Sequence, residues 1–136
     1  MKNIVASATL GLLLITVTGC VSMSTGGMEV SFRENGSAQV RIDDGFFRQH
    51  VEIEEAKSNR TEFGFLSASV LVRNKLDKDF PIQYKFLWFD ANGMEVLPAG
   101  RAWEQTIVHG GELISLQATA PDTAVVKYIV RLRRIK

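Results

Sequence analysis

Apolar and polar residues alternate with a period of two along most of the chain after residue 37. The clearest case is residues 80–88, where every second residue is aromatic or aliphatic and Gln83 and Lys85 lie between them. Successive side chains of a strand point to opposite faces, so this pattern predicts strands with one buried and one solvent-facing side. The same alternation occurs at residues 38–42, 51–54, 66–72, 114–118 and 126–133.

Turn signals separate these segments. Asn92-Gly93 is a pair favoured in two-residue hairpins and predicts one between residues 81–90 and 94–97. His109-Gly110-Gly111-Glu112 predicts a second hairpin. The pattern predicts an all-β fold, an immunoglobulin-like antiparallel β-sandwich of about seven or eight strands, with a small β-barrel as the alternative. No amphipathic helix is expected.

The first twenty residues have the pattern of a bacterial lipoprotein signal. One lysine, Lys2, precedes an apolar run at residues 4–17, and the small residues Thr18-Gly19 come directly before Cys20, the only cysteine. This layout is typical of a secretory signal, and the run is short for a stable membrane span. A cysteine directly after small residues predicts cleavage before Cys20 and lipidation of its thiol.

The chain therefore divides into three parts. We expect a signal peptide at residues 1–19, a lipidated cysteine and flexible tether at residues 20–37, and the sandwich at residues 38–136. In bacterial lipoproteins, an aspartate directly after the lipidated cysteine favours retention in the inner membrane. Here the residue at that position is Val21. We therefore expect a protein anchored in the outer membrane through Cys20 and facing the periplasm.

Charge and chemistry narrow the function classes. The chain has 16 basic and 15 acidic residues, a balance that argues against a nucleic-acid partner. His50 and His109 are the only histidines, and neither lies in a nucleophile or metal-ligand motif. We expect no enzyme, no catalytic residue, no metal and no cofactor.

Aromatic and basic residues supply the candidate contacts. Trp88 continues an apolar face and is expected in the core, whereas Trp103 follows a turn-like segment and is either a core cap or an exposed binding residue. Phe46 and Phe47 are adjacent, so in a strand one of them would face solvent or a partner. Basic side chains at Lys127, Arg131 and Arg133 share one face, either as a solvated charged edge or as a contact for anionic lipid or glycan.

Several segments resemble the YcfL-like family of small bacterial lipoproteins of unknown function. They are Leu71-Val72-Arg73-Asn74, Tyr84-Lys85-Phe86-Leu87-Trp88-Phe89-Asp90-Ala91-Asn92-Gly93, Trp103, and residues 118–121. The resemblance covers roughly residues 45–133. It implies a β-sandwich exposed to the periplasm and carries over no catalytic residue.

These observations predict a non-enzymatic outer-membrane lipoprotein. Its sandwich would bind another envelope component, most simply a protein, through an exposed strand edge or the region of Trp103. The alternative is a periplasmic module that binds a small ligand or glycan through Trp103, Phe46 and neighbouring polar groups.

Overall fold

The computed structural model describes residues 27–33, 38–97 and 102–135, which contain eight strands and one short helix. Within these ranges, no helix has the length and apolar character needed to cross a membrane. The elements are β1 (Met28–Arg33), β2 (Gln39–Ile42), α1 (Gly45–His50), β3 (Val51–Arg60), β4 (Leu66–Asn74), β5 (Phe80–Asp90), β6 (Glu104–Val108), β7 (Leu113–Thr119) and β8 (Val125–Arg134).

The strands form two antiparallel sheets. One has five strands in the order β2-β1-β8-β5-β6, and the other has three in the order β3-β4-β7. β3 lies against β1 and β4 lies against β8, so the inner faces of the two sheets pack together. The predicted all-β sandwich of about seven or eight strands is confirmed.

The core follows the predicted alternation on β4 and β5. Every second residue of β4 is buried, and Ile82, Phe86 and Trp88 of β5 point inward. The Trp88 ring lies 5.6 Å from the Phe86 ring and 6.1 Å from the Tyr128 ring, measured between centroids. The Tyr128 hydroxyl donates to the Lys57 carbonyl at 3.0 Å and so links the two sheets, while burial raises the pKa of this phenol.

The predicted tether at residues 20–37 is wrong for residues 28–33, which form β1. β1 pairs with β2 on one side and β8 on the other, and Met28 and Val30 are buried. Met28, Val30 and Phe32 alternate with polar residues, which is a strand pattern. The glycines directly before it lead to its assignment to the tether. The predicted signal peptide, Cys20 and the tether residues 21–26 and 34–37 lie outside the described residues.

One predicted apolar face is not buried. Val40 of β2 is 45% exposed, although the alternation at residues 38–42 placed it in the core. The five-stranded sheet is wider than its three-stranded partner, so its outermost strand β2 extends past the layer that would cover it.

Residues 45–50 form α1 and not a strand. The Asp44 carboxylate accepts a hydrogen bond of 2.7 Å from the Phe46 amide and caps the helix. Six residues are less than two helical turns, too few for a helical period to be recognised in the sequence. The strand argument for opposite-facing Phe46 and Phe47 is therefore wrong.

The two predicted turns have different outcomes. At Asn92-Gly93 the chain reverses as expected, with Gly93 at φ +77°, but the return segment makes one isolated bridge, Glu95 to Phe89, and no strand. The second turn, at residues 109–112, does not close a hairpin. β6 pairs with β5 and β7 pairs with β4, so this turn carries the chain from one sheet to the other.

Candidate functional site

Trp103 lies just before β6, half-buried between two cations. The Lys85 ammonium is 4.7 Å from the centre of the indole and the Arg133 guanidinium carbon is 4.0 Å from it. Arg133 also donates from Nε to the Gln83 amide oxygen at 2.8 Å. The indole is therefore held in a fixed position by cation–π contacts rather than projecting freely.

The cations around Trp103 belong to a larger basic surface on the outer side of the five-stranded sheet. We call it the basic face: Arg41, Lys85, Arg131 and Arg133. Arg131 pairs with Glu29 at 3.1 Å and Arg41 pairs with Asp43 at 3.2 Å. Among the described residues, neither Lys85 nor Arg133 forms an ion pair.

A side cleft of about 440 Å³ opens next to Trp103, between the edges of the two sheets. It exists because β6 begins only at Glu104, which pairs with Tyr84, so the part of β5 after Tyr84 is not flanked by β6. Aromatic and aliphatic side chains dominate its wall, with Lys85 and Glu104 as the charged members. The lining residues are Lys85, Phe86, Trp88, Leu97, Ala102, Glu104, Ala118, Thr119 and Pro121.

Leu97, which lines the cleft, and Tyr84, which is hydrogen-bonded to the lining residue Glu104, have unusual properties. Leu97 has φ +51°, a left-handed backbone conformation that costs a non-glycine residue free energy, and its side chain is 62% exposed. Tyr84 donates from its hydroxyl to the Glu104 carboxylate at 2.9 Å. Burial, with this hydrogen bond, raises the pKa of Tyr84 to about 12, so it remains a neutral donor at neutral pH.

The Phe46 and Phe47 side chains do not join this site. Phe47 is completely buried in the core, which removes it as a contact for a partner in this structure. Phe46 is half-buried against Phe80 and His50, with ring centroids 5.2 Å and 4.9 Å away, and the Arg134 guanidinium lies over its ring. None of the three predicted aromatic contacts lines the cleft, but Trp103 lies between two lining residues in sequence, Ala102 and Glu104, and contacts a third, Lys85.

The two histidines have different surroundings: the His50 ring packs against Phe46, whereas His109 lies in a polar turn. His109 Nδ1 lies 2.9 Å from the Asp79 carboxylate, which also accepts from the Gly110 amide at 2.9 Å. The hydrogen bond that His109 donates to Asp79 raises the pKa of His109, and the same bond, followed by the bond from the Gly110 amide, lowers the pKa of Asp79. In the described part of the chain, no three His, Cys, Asp or Glu side chains are grouped so that they could hold a metal ion.

Two polar residues of the recognised sequence motif have structural roles. Asn74 is fully buried and donates its amide to the carbonyls of Lys78 and His109, while its oxygen accepts from the Leu76 amide. Asp90 accepts from the amides of Asn92 and Met94 and so caps the first turn. These residues shape loops and do not line the side cleft.

The profile of a family described as "Protein of unknown function (DUF1425)" matches residues 38–134. A crystal structure of a DUF1425 family member from Shewanella sp. pv-4 is 30% identical, with a TM-score of 0.58, covering 83% of this chain and 93% of that one. The crystal structure of Campylobacter jejuni cj0090 is 17% identical, with a TM-score of 0.55, covering 61% of this chain and 85% of that one, and shares the fold. No curated protein matches the sequence.

Proposed function

Since the chain belongs to the DUF1425 family, whose description assigns no activity, we propose its function from its own residues. It is a non-enzymatic lipoprotein of the YcfL-like type, anchored in the outer membrane through Cys20 and facing the periplasm. Its sandwich binds an extended segment of another envelope protein along β7 and the side cleft.

The lipid anchor is supported by the sequence of the segment that precedes β1. An apolar run at residues 4–17 is followed by small residues and Cys20, and Val21 is not an aspartate. Two or more acyl chains hold a protein stably at a membrane, whereas one holds it marginally. Cys20→Ser should abolish fatty-acid labelling and outer-membrane fractionation, and continued acylation of this variant would refute the anchor.

The observation that carries the binding proposal is the open edge of β7 beside the cleft. The Ala120 amide donates to Leu66 and the Asn74 amide donates to Glu112, which fixes the phase of the β4–β7 ladder. Hydrogen-bonded pairs alternate along an antiparallel ladder, so the amides of Ser115, Gln117 and Thr119 point away from β4. Among the described residues no strand pairs with that edge.

An extended peptide fits this arrangement. Added to β7, it would form main-chain hydrogen bonds with the outward amides, and every second side chain would reach the apolar cleft. Ala118 and Thr119 belong both to β7 and to the cleft wall, so the same segment would contact both. The exposed Leu97 at the rim adds apolar surface to the contact.

A proline on β7 tests this mode of binding. Gln117→Pro removes one outward amide and none of the bonds to β4, a substitution that edge strands tolerate. Gln117→Thr keeps the amide and serves as the matched control. Co-purification from crosslinked envelopes should lose the partner with Gln117→Pro and keep it with Gln117→Thr. Recovery of the same partners by both folded variants would contradict strand addition.

The absence of catalysis is part of the proposal and has its own test. Replacing His50 and His109 together by glutamine removes both imidazoles from the chain. The double variant should fold and recover the same partner as the unsubstituted protein. A folded double variant that loses its cellular role would favour an enzyme or a metal site instead.

The second candidate is a periplasmic module for a small ligand or glycan. The cleft volume falls in the range of small-molecule sites, and Tyr84, Glu104 and Lys85 supply polar groups near an apolar wall. Mass spectrometry of small molecules released from the purified protein distinguishes the two. A bound compound that is retained by Gln117→Pro but lost on substitution of Glu104 by glutamine would favour this candidate.

A further inference from the structure

The first described strand begins close to the proposed anchor in sequence. Seven residues separate Cys20 from Met28, the first residue of β1. Whatever its conformation, a connection of that length spans at most about 28 Å. A lipid at Cys20 therefore keeps the start of β1 near the leaflet that holds it.

The basic face lies at this same end of the sheet. Met28 is opposite Leu132 in the β1–β8 register, and Arg133 is the next residue of β8. One step along, Glu29 is opposite Arg131, which is itself opposite Lys85 of β5. The entry point of the chain from the anchor and the cations around Trp103 are therefore neighbours across the sheet.

The charge of this surface is positive after its ion pairs are counted. Glu29 and Asp43 each neutralise one cation of the basic face, which leaves Lys85 and Arg133, both in contact with the Trp103 ring. Arg134, on the opposite side of the strand, is paired with Asp44. Tryptophan is favoured at membrane–water interfaces, where its apolar ring and its polar N–H are both accommodated.

We propose that the basic face rests on anionic phospholipid headgroups of the leaflet in which Cys20 is anchored. This inference depends on the lipid anchor of the proposed function, but not on its protein partner. Each cation near an anionic surface is expected to raise the equilibrium constant between the domain in contact with the headgroups and the domain away from them about fivefold. The contact orients the domain, and it weakens as salt screens the charges.

Amine labelling of the membrane-bound protein tests the contact. The full chain is matured in cells, purified with its lipid and placed in vesicles of phosphatidylethanolamine with phosphatidylglycerol, or of phosphatidylcholine alone. Lys57 on the opposite sheet, with a side chain 62% exposed, is the internal control. Phosphatidylglycerol should reduce Lys85 labelling about fivefold, should leave Lys57 unchanged, and should lose its effect at high salt.

A variant separates headgroup contact from general crowding at the vesicle. Arg131→Gln with Arg133→Gln should restore Lys85 labelling in phosphatidylglycerol vesicles without detaching the protein. Equal Lys85 labelling of the unsubstituted, vesicle-bound protein in both lipids would overturn this inference alone. If the protein associates with neither kind of vesicle, the anchor is wrong and both proposals fall. The salt series on the unsubstituted protein decides the question if the double variant does not fold.

Discussion

The two ends of β6 meet the rest of the molecule in opposite ways. At the Val108 end the chain enters a closed polar corner, where Asn74 binds the carbonyls of Lys78 and His109. At the Glu104 end β6 covers only part of β5, and the side cleft lies beside the uncovered part. Leu97, at the rim of this cleft, has a left-handed backbone conformation. At the Val108 end the buried polar groups have hydrogen-bond partners, whereas at the Glu104 end apolar surface is accessible to solvent.

This difference separates residues needed for folding from candidates for binding. A buried amide with several backbone partners costs much to remove, because each lost partner leaves a buried group unsatisfied. Exposed apolar groups and strained backbone contribute little to folding and are commonly found at functional sites. Asn74 belongs to the first class, whereas Leu97 belongs to the second.

The largest expected effect is at the closed corner. Asn74→Ala should lower the free energy of unfolding by about 3 kcal/mol, because its carbonyl partners and the Leu76 amide lose their buried partner. Asn92→Ala, in an exposed turn, is the matched control and should cost less than about 0.5 kcal/mol. Denaturant titration followed by circular dichroism measures both. Equal costs would mean that the corner is not a special source of stability.

Gly110 probes how tightly the same corner is closed. A Cβ at this position would lie 2.6 Å from the Asp77 carbonyl carbon and 2.9 Å from the Lys78 amide nitrogen, both backbone atoms. Gly110→Ala should therefore cost about 2 kcal/mol. Gly45→Ala, where nothing lies within 4 Å, should be neutral or slightly stabilising. A neutral Gly110→Ala would show that the loop opens easily.

The cleft end should respond in the opposite direction. Leu97→Asn relieves a leucine held at φ +51° and should raise the free energy of unfolding by about 0.5–1 kcal/mol. It should also weaken recovery of the partner, since it removes apolar surface from the rim. Met94→Asn changes a similarly exposed residue without positive φ and should show no gain in stability. A destabilised Leu97→Asn would place Leu97 among the structural residues.

The smallest effect is the pH dependence of the corner. The pKa of His109 is raised above its ordinary value of 6.5 by Asp79, so this stabilisation is full below pH 6.5 and is lost as the pH rises through the folded value. The pKa of Asp79 is lowered from 3.8, so its contribution is present above that value and is lost as the pH falls through the folded value. His109→Gln and Asp79→Asn should both flatten the decline in stability between pH 6 and 8. A slope that persists in both variants would assign the dependence to other groups.

The sequence predicts three of the four long strands well because their alternation is long, whereas β3 has a register shift between Ile53 and Glu55 that ends its alternation early. β4, β5 and β8 each have nine or more residues, and their inward positions agree with the pattern except at the start of β8, where Val125 and not Val126 is buried. β1 also alternates, at Met28, Val30 and Phe32, but a short strand after glycines is easily assigned to a linker. α1 is shorter than two turns, and its one available signal was Asp44 before Gly45 as a helix cap.

The candidate site is less predictable because it depends on where strands stop. Trp103 could be selected as an aromatic residue in a turn-like segment, but its contacts with Lys85 and Arg133 depend on the register of three strands. The cleft arises because β6 is short and does not extend along the rest of β5. β6 has only five residues and a weak apolar pattern. Phe47 is predicted as a candidate surface contact but is buried in the core, because it lies in a short helix whose position the sequence does not predict.

The position of β8 has a consequence for the order of folding. β8 follows every other strand of the five-stranded sheet in sequence, yet it lies at the centre of that sheet, between β1 and β5. Glu29 and Arg131, joined across β1 and β8, are 102 residues apart. Such distant pairings make folding slow and late. The sheet cannot be assembled until β8 has been synthesised, and under the export proposed above this delay keeps the polypeptide unfolded while it is engaged for translocation.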